Sequence, residues 1–241
     1  MTRIFTFLPL CCAALVCGCM SDQPAVQHIA AARSPRPPQP KTPQQLAVEA
    51  IKKKRGTVGV EVNTLGSPVI AVDLHHAHIS DADLAFLDPL TDVRDLNLNA
   101  TAITDAGLVH LKAMGNLRSL NLSATRVTDA GVASLHSLPN IRTLLLNDTQ
   151  VTNACVTGLR SWPNLESLGL YHTHVTDDGL AQLRIFRNLQ RLNIGGEITD
   201  RGLAFLAQLP NLHELGVYDP HVTEPGIKAL QKALPRLMIA H

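Results

Sequence analysis

A period of 24 residues runs through the chain from residue 69 onward, and it limits the fold more than any other feature. The first aliphatic residue of each successive short apolar stretch is Val72, Leu96, Leu120, Leu144, Leu168, Leu192 and Leu215, spaced 24 residues apart five times and then 23. A unit this short cannot bury its own apolar face. It must stack on its neighbours, and the core then forms between copies rather than inside one.

Each unit divides in two. A second apolar anchor follows the first by two residues, at Leu74, Leu98, Leu122, Leu146, Leu170, Ile194 and Val217, which is the alternation of a strand with one buried face. Ile or Val returns at 79, 103, 127, 151, 175, 198 and 222, and the pattern then turns helical. Leu108, Leu111 and Met114 stand at i, i+3 and i+6, as do Leu180, Leu183 and Phe186. A Pro-Asn pair commonly ends the helix, at 139–140, 163–164 and 210–211.

Units such as LRSLNLSATRVTDAGVASLHSLPN resemble the leucine-rich repeat family over residues 69–237, in about seven copies. The nearest subtype places a helix after each strand, as in ribonuclease-inhibitor and F-box-associated repeats. The resemblance implies an α/β solenoid, a horseshoe with parallel strands on the concave face and helices on the convex face. Geometry agrees, because parallel strands stack about 4.7–4.9 Å apart whereas packed helices need about 8–10 Å. One departure is Thr101, Thr125, Thr149 and Thr173, where the family usually has Asn or Cys. A threonine hydroxyl can still bond loop backbone.

A recurrent phrase, ITDAGL at 103–108 and its copies, places an acid on a fixed beat. The residue before it is always Ser or Thr: Ser80, Thr104, Thr128, Thr152, Thr176, Thr199 and Thr223. Ser or Thr ahead of an apolar helical run is an N-cap, and an acid at the first helical position suits the helix dipole. Asn153 and Glu224 each replace the Asp once, which a cap tolerates better than a metal site would. The acids therefore read as helix punctuation. The following glycine, replaced by Cys155 in the fourth copy, reads as room for close approach of adjacent units.

The amino terminus reads as an address. Met1-Thr2-Arg3 precedes an apolar run from Ile4 to Val16, too short to span a bilayer, in the manner of a secretory signal peptide. Val16-Cys17-Gly18-Cys19 resembles the bacterial lipobox, which implies cleavage after residue 18 and acylation of Cys19. Residues 19–41, rich in proline, read as an extended tether. Residues 42–68 read as an N-terminal cap: a helix from Thr42 to Arg55, with Leu46, Val48, Ala50 and Ile51 as its apolar residues, followed by a strand at 58–62 and a turn. The repeat domain occupies 69–241, with a short final strand at 237–241.

Other candidate sites have plain structural readings. His75, His76 and His78 are read as exposed loop histidines, since no carboxylate or Cys stands at a recognised zinc spacing. Lys52–Arg55 suits a helix C-terminus, and Cys155 is read as a small buried thiol. The formal charge of +1 offers no electrostatic case for nucleic acid. No nucleophile elbow, phosphate-binding loop or Cys/His arrangement is present, so no enzyme, cofactor or metal is expected. What remains is the concave face, where Asn97, Asn121 and Asn147 form a polar ladder and Tyr171, His172 and Tyr218 offer rigid aromatic area. The expectation is a monomeric, lipid-anchored envelope protein that binds a protein or other envelope macromolecule through that face. The competing reading is a structural envelope spacer.

Overall fold

The computed structural model describes residues 40–60 and 67–241. The expected leader, the expected lipidation site Cys19, nearly all of the expected tether and most of the turn after residue 60 lie outside the described residues. Residues 40–241 form one compact unit, which contains the whole of the described hydrophobic core.

Helix α1 spans Pro43–Lys53 and starts in a capping box: the Thr42 hydroxyl accepts from Gln45 N–H while the Gln45 side chain accepts from Thr42 N–H. Its buried face is Ala47 and Ile51, whereas Leu46 points outward and is 54% exposed. The i, i+4 pair Ala47 and Ile51 meets the first repeat and leaves Leu46 on the outer face. Next come β1 (Thr57–Val60) and β2 (Val69–Asp73), paired antiparallel. Seven strands follow in parallel, each hydrogen-bonded to its predecessor: β3 (Asp95–Asn97), β4 (Ser119–Asn121), β5 (Thr143–Leu145), β6 (Ser167–Thr176), β7 (Arg191–Glu197), β8 (Glu214–Val217) and β9 (Met238–Ala240). The nine strands form one open sheet in sequence order. Its register pairs equivalent residues, Leu96 with Leu120, Leu120 with Leu144 and Leu144 with Leu168.

The segments after the strands are short. Residues Asp81–Leu87 and Gly107–Leu111 are 3-10 helices; α2 (Asp129–Ser134), α3 (Asn153–Gly158), α4 (Asp177–Leu180) and α5 (Asp200–Leu206) are brief α-helices. Only α6 (Glu224–Ala233) is longer. Alpha helices of one or two turns, and 3-10 segments between them, replace the full helix of the subtype named above. Leu108, Leu111 and Met114 stand at a step of three, which matches the 3-10 period. These side chains are all buried, as are the strand anchors.

Neighbouring units are tied at both rims of the sheet. At the rim where strands end and helices begin, each acid reaches forward to the next threonine. Asp105 Oδ1 accepts from Thr128 N–H at 2.8 Å, and Oδ2 accepts from the Thr128 hydroxyl at 2.6 Å. The same clamp joins Asp81 to Thr104, Asp129 to Thr152, Asp177 to Thr199 and Asp200 to Thr223. The threonine hydroxyl then accepts from a backbone N–H two residues on, at Ala106, Ala130, Ala154 and Arg201, or three on, at Gly226. One hydroxyl thus caps its own turn and locks the preceding unit. At the fourth junction Asn153 Oδ1 accepts from Thr176 N–H while its amide donates to the Thr176 hydroxyl. That reverses the hydroxyl's role, and Thr176 makes no capping bond. The first copy differs again: the Ser80 N–H and hydroxyl both donate to Asp83 Oδ2.

The glycine of the phrase is what the clamp stands on. A Cβ on Gly131 would lie 2.1 Å from Asp105 Oδ1, and one on Gly202 would lie 2.3 Å from Asp177 Oδ1. Cys155 keeps its Cβ at this station, yet the Asp129–Thr152 clamp closes there with ordinary distances. Burial, with Asp129 nearby, pushes the Cys155 thiol up to about 12, so it is an inert packing group.

Inside the loops of units two to five a threonine closes the turn. Thr101, Thr125, Thr149 and Thr173 are buried and donate to the carbonyls of Leu98, Leu122, Leu146 and Leu170 at 2.6–2.7 Å. The residue just before each threonine turns left-handed, with φ of 52–55° at Ala100, Ala124, Asp148 and His172. At the opposite rim Asn140 donates to Gly115 O, Asn188 to Pro163 O and Asn211 to Arg187 O.

Asp105→Ala should cost about 1–3 kcal/mol, because it leaves the partly buried Thr128 N–H without an acceptor. Asp105→Asn should cost less than half of that, since Asn153 closes the same clamp naturally. Urea unfolding of the two variants makes the comparison. Equal losses would mean that charge rather than acceptor geometry holds the units together.

At the N-terminal end Lys54 Nζ lies 2.8 Å from Asp83, joining the capping helix to the first repeat. That bond and the Ser80 N–H hold the Asp83 carboxyl down at about 2, below an unfolded value of about 3.9. A depressed carboxylate contributes stability that is complete above the unfolded value and disappears as pH falls. The melting temperature should therefore decline between roughly pH 4 and pH 2, and Asp83→Asn should make that decline shallower. Thermal melts across this window test the point.

Candidate functional site

Strand residues that flank the leucine anchors face away from the core and form the concave surface. The asparagines among them are occupied. Asn97 Oδ1 accepts from Asn99 N–H at 3.1 Å and Asn121 Oδ1 accepts from Ser123 N–H at 3.0 Å, so both close a turn at the strand end. Asn147 Oδ1 instead accepts from Tyr171 N–H of the next unit at 3.0 Å. It lies over Gly169, where a Cβ would come within 2.7 Å of that oxygen. The expected polar ladder is therefore present as a set of half-buried strand terminators. Its acceptor oxygens are directed at backbone.

The aromatic residues behave differently. Tyr171 and Tyr218 come from units five and seven, and their rings meet edge-to-face with centroids 5.8 Å apart. The residue between them in unit six is Gly195, at φ 155°. A Cβ there would stand 2.6 Å from Tyr218 O and 2.9 Å from Tyr171 Cδ2. His172 stacks on Tyr171, with centroids 3.9 Å apart and planes 21° from parallel, and its Nδ1 lies 3.1 Å from Asp148 Oδ1. Tyr218 is 52% exposed, one of the few large apolar side chains so placed.

Asp219 fixes the backbone beside Tyr218. Its Oδ2 accepts from Gly196 N–H and Ile198 N–H, and its Oδ1 from His221 N–H. Burial would raise this carboxyl, but the three N–H donors outweigh burial and hold it below its usual range. The tyrosine is thus presented from a loop pinned to the shortened unit.

Next to Tyr218 the sheet surface dips into a hollow of about 350 Å³, lined by Leu145, Arg191, Asn193, Glu214, Tyr218 and Met238 among others. Gly216 supplies the floor, under Asn193, whose Oδ1 a Cβ would meet at 2.1 Å. Arg191, Glu214 and Met238 are site residues that the sequence reading passed over. Alternation puts the residue before each first anchor on the same face as the residue after it.

The histidine group at 75, 76 and 78 does not converge. His75 Nδ1 lies 2.9 Å from Asp73 Oδ1, and the His75 and His76 rings meet edge-on at 5.5 Å. Among the described residues no three His, Cys, Asp or Glu side chains are placed to share a metal ion. No helix among them is long and apolar enough to cross a membrane.

Gly195→Ala should destabilise the protein by roughly 1–3 kcal/mol and force the tyrosine rings apart, because the backbone there suits only glycine. Gly158→Ala serves as the control. Its Cβ would meet nothing within 4 Å, so helix propensity should make it neutral or stabilising by up to about 1 kcal/mol. Denaturant midpoints give the stabilities, and near-ultraviolet circular dichroism reports the rings. An unchanged tyrosine signal in Gly195→Ala would show that the glycine does not shape the pair.

No protein-family model matches the chain, and no curated protein matches it in sequence. Solved structures do. Internalin C2 from Listeria monocytogenes is 20% identical, with a TM-score of 0.54, over 83% of this chain and 96% of its own. An internalin, inlF, from the same organism is 20% identical with a TM-score of 0.55 over 80% of this chain. This chain spans about half of that protein, 54%. Both neighbours are leucine-rich repeat proteins. The chain folds as an open α/β leucine-rich repeat solenoid.

Proposed function

We propose that the chain is a non-enzymatic, monomeric, lipid-anchored protein of the cell envelope that binds another protein through the C-terminal half of its concave face. One observation carries the reading. Tyr171 and Tyr218 meet across Gly195 at 5.8 Å, with His172 stacked alongside, on an otherwise aliphatic and polar sheet. Exposed tyrosine is an effective binding anchor, since it offers large area at small entropic cost. The adjoining hollow, with Arg191 and Glu214 at its wall, supplies the polar contacts that orient a partner. Asn97, Asn121 and Asn147 contribute shape and remaining amide protons rather than free carbonyls. Anchoring at Cys19 rests on the sequence Val16-Cys17-Gly18-Cys19.

Crosslinking capture from an envelope extract tests the binding surface. Any partner captured by the native chain should be lost from the Tyr171→Ala/Tyr218→Ala variant, with affinity reduced at least about tenfold. Capture that survives the double substitution overturns the concave-face reading. Separately, Cys19→Ala should abolish palmitate labelling; retained label would refute the anchor.

A further inference from the structure

The formal charge of +1 conceals a segregation across the solenoid. The helix-to-strand connections 112–119, 136–143, 160–167 and 184–190 carry six cations, Lys112, Arg118, Arg142, Arg160, Arg184 and Arg187, against one acid, Glu166. All six cations are exposed. The strand-to-helix connections of the same four units, 97–106, 121–130, 145–154 and 169–178, carry five acids and only Arg126. Since the strands run parallel in register, these two sets lie at opposite rims of the sheet.

Helix dipoles account for part of this pattern. Acids favour helix starts and cations helix ends, and a solenoid repeats that preference at the same rim in every unit. Dipoles do not account for Arg118, Arg142 and Arg187, which lie beyond the helices. Nor are the cations used internally. Arg142 pairs with Glu166 at 2.8 Å, and the other five make no ion pair or side-chain hydrogen bond among the described residues. Asp92 and Asp95 bound the band on its N-terminal side and Glu214 on its C-terminal side. Between Arg184 and Arg187 stands Ile185, 43% exposed. The aromatic residues of this rim, Trp162 and Phe186, are buried at 1% and offer nothing for bases to stack on.

We propose that this basic rim docks on an anionic phospholipid surface. Five free cations in one band provide the charge complement to lipid headgroups, and Ile185 provides the apolar side chain that enters the interface. The inference is independent of the concave-face reading and uses none of its residues.

Vesicle co-sedimentation of the 40–241 unit, which holds the whole of the described core, tests it. The probes are phosphatidylcholine vesicles with and without phosphatidylglycerol. Binding should require the anionic lipid and weaken as salt rises. At about fivefold per charge, Arg160→Gln/Arg184→Gln/Arg187→Gln should weaken binding roughly a hundredfold. Because these side chains are exposed and unpaired, the variant should melt at the native temperature. Arg126→Gln/Arg201→Gln/Lys228→Gln removes the same charge elsewhere and should leave binding unchanged. The proposal is overturned if the two triple variants weaken equally, or if the neutral vesicles bind as well. Tighter binding to a single-stranded oligonucleotide than to anionic vesicles would overturn it equally.

Discussion

Everything in this structure depends on the inability of one unit to bury its own apolar face. Leu120 has a hydrophobic environment only because Leu96 and Leu144 stand beside it in register. Burial of this kind is non-directional and would tolerate slippage. Directional bonds remove the tolerance. A slip of one residue would break the Asp–Thr clamps at one rim and the Asn–carbonyl bonds at the other together. Apolar burial drives the stack; the polar rims set its register.

The phrase that announces each helix shows how much of this was legible. The 24-residue period determines the strands, the parallel order and the leucine columns, because strand alternation and stacking leave no other use for those residues. Thr128 as a cap and Asp129 as the next residue follow from local rules. That Asp129 belongs to the following unit does not, since nothing local tells a carboxylate to reach across to Thr152. The glycine two residues after the acid was the available signal. Its missing Cβ makes room for the acid of the unit before.

The concave face was legible in outline and illegible in detail for a related reason. Alternation exposes Asn97, Asn121 and Tyr171 alike, but it does not say which side chains fold back onto backbone. The asparagines did so, through the short Asx geometry that also ends β2 at Asp73. Tyrosine has no such local partner and stays outward. Charge followed similar logic. Each acid and cation suits its own helix end, and only the parallel register turns those separate preferences into two rims of opposite sign.

The aromatic cluster lies where the period fails. Unit six is one residue short, and β7 continues through Gly195 and Gly196 where units one to five turn left-handed at a single residue. The continued strand pairs Tyr171 with Gly195 and lengthens β6 to Thr176. Asp219 then takes up the N–H groups of Gly196 and Ile198 and brings Tyr218 level with Tyr171. A side chain at residue 195 would stand against the Tyr171 ring, 2.9 Å from its Cδ2. The regular units build the platform, and the shortened unit lies between the two tyrosines that meet across it. A solenoid can specialise a face in this way without disturbing the columns beneath it, because Leu192 and Leu215 stay in register on either side of the deletion.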